Sequence, residues 1–240
     1  MSSPVILSFP EYREQTQRLA EVTGFARHEV EIHHFPDGES RVRLPESVPE
    51  RVILCRSLYH PNEKLIELVL AAATARRLGA SQLVLVAPYL CYMRQDKAFH
   101  PGEAISQRII GDLLAQQFDE VVTIDPHLHR VHTLRQAIPV KRAVALTATS
   151  AISNWLSERA PDALLLGPDE ESLQWVAAIA GHNHLEYCVA RKERLGDRSV
   201  HITLPQYHFS GRHVVLVDDV ASTGRTLETA ALELRPHEPA

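Results

Sequence analysis

HVVLVDDVASTGRTL, residues 213–227, decides how this chain is read. The apolar run 213–217 predicts a strand, and 223–234 predicts a helix. Between them the strand delivers two adjacent acids, Asp218 and Asp219, into a short loop of small residues. Open α/β sheets bind ligands at the carboxyl ends of their strands. A helix N-terminus adds free backbone N–H groups and a partial positive charge. Ser222, Thr223 and Thr226 add hydroxyl donors, and Gly224 allows close backbone approach. Such a loop suits a phosphate monoester, with the acids placed for sugar hydroxyls or a magnesium-bound sugar. "DD" or "STG" alone would mark no more than a strand end and an N-capping hydroxyl.

Outward from this stretch, short apolar runs alternate with amphipathic ones. Strands are expected at 5–9, 29–35, 41–44, 51–58, 82–87, 120–124, 163–166 and 185–190. Helices are expected at 12–23, 62–78, 105–118, 150–159 and 171–180. The helix at 62–78 places Leu65, Leu68, Val69, Ala72 and Ala75 on one face, with Gly79 positioned to end it. Strand–helix alternation with nearly continuous apolar strands implies α/β architecture with mainly parallel sheets. The pattern runs twice, which suggests two similar domains, 1–146 and 147–240, joined around 141–149.

Composition narrows the class. With 45% hydrophobic residues the chain can build a core. Its 25 basic against 30 acidic residues argue against a nucleic-acid partner. No run approaches the roughly 18 apolar residues of a membrane span, and no leader pattern opens the chain. Cys55, Cys91 and Cys188 are widely spaced in apolar surroundings and read as buried thiols of a reducing, cytoplasmic setting.

Beyond these physical signals, VVLVDDVASTGRT resembles the PRPP-binding loop of phosphoribosyltransferases and PRPP synthetases (ribose-phosphate diphosphokinases). Further segments resemble the synthetases alone, and in family order: HFPDGESRVRL (34–44), PYLCYMRQDKAFHPGEAIS (88–106), TIDPHLH (123–129), GPDEES (167–172) and VARKERLGDR (189–198). Ser222 looks closer to the archaeal-type branch. The resemblance implies two phosphoribosyltransferase-like domains and transfer of the ATP diphosphate to ribose 5-phosphate. It implies that Phe35, Asp37, Glu39, Arg94, Gln95 and Asp96 hold ATP, the first three from a neighbouring subunit of a homo-oligomer. It implies that Asp218, Asp219, Ser222, Thr223, Gly224 and Thr226 hold ribose 5-phosphate, that His127 and Asp169 hold Mg2+, and that Lys192 and Arg194 are catalytic.

Each assignment has a plainer rival. Pro36-Asp37-Gly38 is also a turn signal, 94–96 also a solvated loop, and 191–198 also a solvated charge run. Magnesium prefers oxygen, so His127 is the odd ligand, and His127, His129 and His132 leave a zinc site open as an alternative. A phosphoribosyltransferase would share the loop but not the FPDGE or RQD segments. A catalytically weak PRPP-synthetase-like regulatory subunit is the other rival. Three departures from the family bear on it. Glu170 and Glu171 follow the "PD" pair, where acids would crowd nucleotide phosphates. Arg225 replaces a glycine. The resemblance implies further strand–helix units after the loop helix, where this chain reads LELRPHEPA. The expectation is therefore a truncated second domain, a phosphate loop that still binds, and poor turnover.

Overall fold

The computed structural model describes residues 3–194 and 200–240. The chain divides into two compact units, 1–146 and 147–240. The first contains β1 (Val5–Ser8), α1 (Arg13–Thr23), β2 (Ala26–Glu29), β3 (Glu31–His34), β4 (Ser40–Arg43), β5 (Arg51–Cys55), α2 (Pro61–Arg77), β6 (Gln82–Val86), α3 (Ser106–Gln117), β7 (Glu120–Ile124), α4 (Leu134–Ala137) and β8 (Arg142–Leu146). The second contains α5 (Thr149–Arg159), β9 (Leu164–Gly167), α6 (Leu173–Asn183), β10 (Tyr187–Val189), β11 (Arg191–Arg194), β12 (Val200–Thr203), β13 (Val214–Leu216) and α7 (Arg225–Leu234).

In the first unit six strands form one parallel sheet in the order β2-β1-β5-β6-β7-β8. Successive side chains of a strand point to opposite faces, and both faces here are covered. Val5, Leu7, Val52, Leu54, Leu83 and Leu85 join the larger core with Leu65, Leu68 and Leu114. Ile6, Ile53, Cys55 and Val84 face the other way, against Tyr12, Leu19 and Ala20. This two-sided burial is why the strands read as continuous apolar runs. Helix α2 stops where expected: Gly79 takes φ +105 and its N–H donates to Arg76 O at 3.1 Å.

The second unit repeats the plan on a smaller scale, with the parallel sheet β10-β9-β13 and the antiparallel pair β11-β12. Leu165 packs with Leu156, Val176 and Ile179, while Leu164 and Leu166 pack with Ala230, Leu234 and Phe209.

Two expectations need correcting. The strand expected at 29–35 is two strands. Val30 is fully buried, its N–H donates to Ser8 O at 2.9 Å, and there the chain leaves the main sheet for a separate hairpin, β3–β4. The stretch 141–149, read as a joint, holds β8, which pairs with β7 over five residues. As a half-exposed edge strand it lacks the long apolar run that marks the central ones. Sequence reading also missed α4 and the pair β11-β12. Cys55, Cys91 and Cys188 are free thiols, and burial raises the first two to about 12 and Cys188 to about 11. Cys188 is only half-buried.

Candidate functional site

In the first unit the candidate residues lie on two loops. The hairpin tip carries Phe35, Asp37 and Glu39, all exposed. The turn is closed by Phe35 N–H donating to Glu39 O (2.8 Å) and Gly38 N–H donating to Phe35 O (2.9 Å). Gly38 has φ +90, which side-chain-bearing residues avoid. Asp37 Oδ1 accepts from the Glu39 N–H at 3.1 Å, so turn chemistry and candidate site coincide. Phe35 meets the His33 ring edge-on, centroids 4.8 Å apart.

The second loop follows β6. Leu90, Cys91 and Met93 are buried and anchor it, which leaves Arg94 exposed. Gln95 is fixed from α3: Ser106 Oγ donates to its Oε1 at 2.7 Å, and Gln107 N–H donates to its carbonyl at 3.1 Å. Asp96 is the third residue of the RQD segment. Its side chain is 2% exposed and accepts from Arg130 NH1 (2.7 Å) and Arg130 N–H (3.1 Å). It thereby ties the RQD loop to the 127–133 loop, where His127 is half-buried. Among the described residues, the histidines at 127, 129 and 132 do not form a metal-sized cluster. The group that does is His34, Glu63 and Glu67.

In the second unit the distant motifs converge. β9 ends at Gly167, where a Cβ would lie 2.2 Å from Ser172 Oγ. The tight fit lets the buried Ser172 turn inward, donating to Asp169 O at 2.5 Å while its N–H reaches Asp169 Oδ1 at 3.3 Å. Asp169 is thus fixed at the strand end. Glu170 and Glu171 are exposed. Lys192 on β11 pairs with Asp169 Oδ2 at 3.0 Å and lies 3.5 Å from Thr226 Oγ1 at the start of α7. The Arg194 side chain lies outside the described residues, as do positions 195–199 of its segment.

β13 delivers Asp218 and Asp219 beside this cluster, and Asp219 N–H donates to Asp218 Oδ1 at 2.9 Å. Burial, then the charge of Asp219, then that of Asp169 push the Asp218 carboxyl up to about 6. Like charges this close resist ionising together. Ser222 and Thr223 are exposed, and Gly224 with φ +75 caps α7. The loop therefore presents hydroxyls and a helix N-terminus beside carboxylates whose negative charge Lys192 only partly offsets. Gly167 and Ser172 were not singled out as functional. Their signal in sequence is only the "GPD" glycine.

Residues 4–117 match the N-terminal domain of ribose phosphate pyrophosphokinase, and residues 139–240 match the phosphoribosyl transferase domain. The ribose-phosphate pyrophosphokinase of Methanopyrus kandleri is 33% identical over 235 residues, 96% of this chain and 79% of that protein. The chain belongs to the ribose-phosphate pyrophosphokinase family. The pyrophosphokinase of Thermococcus kodakarensis, a second archaeal relative, is 36% identical over 207 residues, 86% of this chain and 72% of its own length. The crystal structure of phosphoribosylpyrophosphate synthetase from Mycobacterium smegmatis shows the same fold. Its TM-score is 0.82 at 21% identity, covering 99% of this chain and 78% of that one. No helix among the described residues of this pyrophosphokinase family member is long and apolar enough to cross a membrane.

Proposed function

We propose that this chain is a ribose-phosphate diphosphokinase, taking ATP and ribose 5-phosphate to AMP and PRPP. The observation that carries the reading is the convergence of Asp169, Lys192, Asp218 and Thr226 in the second unit, at the strand ends and helix start where a sugar phosphate is best received. Ser222, Thr223, Gly224 and Thr226 take the 5-phosphate, and Asp218 and Asp219 take the ribose hydroxyls. On the first unit, Phe35, Asp37 and Glu39 hold the adenine end of ATP. Arg94 offers a planar fork to its phosphates, and Gln95 offers its amide to the base. Asp96 contributes through Arg130. The separate hairpin with its exposed Phe35 supports a homo-oligomer in which the tip completes a neighbour's nucleotide site. The free thiols, two of them buried, support a cytoplasmic location.

The anomeric hydroxyl attacks the β-phosphorus, loses its proton, and AMP leaves. Lys192 and Arg194 stabilise the charge that builds on the transferring group. The chemistry of this corner suits a positive partner: burial first, and then the charges of Asp219 and Asp169, push the Asp218 carboxyl up to about 6. Asp169 on the second unit would hold Mg2+, and His127 on the first unit is the other residue the family resemblance implies as a ligand; when bound, the cation offsets phosphate charge and polarises the phosphoryl oxygens.

The test is formation of AMP and PRPP from ATP and ribose 5-phosphate by the purified chain, with Lys192→Ala alongside. Product from wild type, and a loss of about 10²-fold or more in the variant, is the expected result. Binding of both substrates with no product would point to the regulatory reading. Reaction of PRPP with a base, and none with ATP, would point to a phosphoribosyltransferase.

A further inference from the structure

The hairpin β3–β4 is a sheet of its own, and besides the packing of Ile32 and Val42 on the core a buried carboxylate ties it to the body of the first unit. Glu67 lies in the middle of α2 with 1% of its side chain exposed. His34 and Ser40 face each other as the last ladder pair before the tip, and both reach this residue. Ser40 Oγ donates to Glu67 Oε1 at 2.9 Å, and His34 Nε2 lies 3.7 Å from the same oxygen. His34 Nδ1 is 2.7 Å from Glu63, one helical turn earlier on α2.

The second oxygen of Glu67, Oε2, takes Arg56 at 2.6 Å. The Arg56 side chain is 5% exposed and is itself fixed on every side. Its Nε donates to Glu11 at 2.6 Å, its NH1 donates to Lys64 O at 3.2 Å, and the guanidinium stacks 4.2 Å from the Phe9 ring centroid. A carboxylate this deep persists only when paired and hydrogen-bonded, and Arg56 from the end of β5 meets that need. His34, Glu63 and Glu67 bring three ligand atoms within 4.8 Å. Both Glu67 oxygens and His34 Nδ1 already face protein partners, so the group reads as a clamp rather than a metal centre.

We propose that Glu67 is a positioning residue for the nucleotide. By accepting from Ser40 on β4 beside His34 on β3, which Glu63 holds, it sets Phe35, Asp37 and Glu39 in place before ATP arrives. The ordering cost of the hairpin is then met on folding rather than on binding. The proposal rests on the reading above that the tip contacts ATP. Glu67 takes no part in the chemistry or in the ribose 5-phosphate loop.

Titration calorimetry of the full chain with magnesium–ATP and, separately, with ribose 5-phosphate tests it, alongside thermal unfolding. Ser40→Ala deletes one hydroxyl from the hairpin and leaves the Arg56–Glu67 pair intact. The dissociation constant for ATP should rise about fivefold, the effect of one lost hydrogen bond. Ribose 5-phosphate affinity should stay at the wild-type value, and the unfolding midpoint should fall by only about 2–4 °C, the effect of one lost hydrogen bond in an otherwise intact fold. Ser40→Thr, which keeps the hydroxyl, should restore ATP affinity. Glu67→Gln should weaken ATP further, and where that buried change prevents folding, the Ser40 variants decide the matter. Unchanged ATP affinity in Ser40→Ala, equal weakening of both ligands, or no rescue by threonine would overturn the positioning role while leaving the function intact. A wild-type chain that binds no ATP would overturn both.

Discussion

Replacing Asp218 with Asn isolates the charge carried at the strand end of the second unit. Burial, the charge of Asp219 and that of Asp169 raise Asp218 from 3.8 to about 6. The folded protein therefore holds this proton more tightly than the unfolded chain does. The resulting stabilisation is fully present below about pH 4 and is lost as the pH rises through about 6. Above that, the carboxylate is charged and repelled by its neighbours. A displacement of about two pH units corresponds to about 2.7 kcal/mol. The group is only half-buried, so solvent screening reduces the expected effect to about 1 kcal/mol. Asn keeps the size of Asp and an oxygen to accept from the Asp219 N–H, so the change is mainly one of charge. Urea denaturation should show Asp218→Asn more stable than wild type by about 1 kcal/mol at pH 7, and the two equal near pH 4. Magnesium should stabilise wild type more than the variant, because the wild-type cluster has more negative charge to offset. A variant less stable at pH 7, or a difference that ignores pH, would refute the reasoning.

Two further outcomes test the fold of the first unit. Partial burial of Asp119 alone would raise its pKa, but hydrogen bonds from Lys141, the Leu83 N–H and Arg76 outweigh this and pull it to about 2. Asp119→Asn should cost about 1–2 kcal/mol at pH 7, and the gap measured by denaturation should close as the pH falls from about 4 towards 2, because a depressed pKa stabilises only above it. Gly111 on α3 packs so closely that a Cβ would lie 1.9 Å from Ala137 O. Gly111→Ala should therefore lower stability by about 3 kcal/mol, since backbone rather than a flexible side chain must move, and a thermal midpoint matching wild type would contradict that packing.

What the sequence determined by itself is what neighbouring residues encode. Central strands such as β5, β6 and β9 are legible because burial on both faces leaves an uninterrupted apolar run. The 213–227 stretch is legible because an apolar strand, two acids, a glycine able to take φ +75 and an amphipathic helix follow one another directly. The tip at 35–39 is a local turn in the same sense. β8 was not legible, because an edge strand exposed along half its length has no such run. The roles of single side chains were hidden for a different reason. Lys192 reaches Asp169 across 23 residues and Thr226 across 34, and nothing beside it in RKER marks it out. Asp96 pairs with Arg130, 34 residues away, a contact that its RQD segment does not announce. Glu67 sits beside the buried Leu68 on α2 and in sequence is one acid among thirty. Only tertiary structure decided that it goes inward, because only there do Arg56 and Ser40 arrive to compensate the burial of its charge.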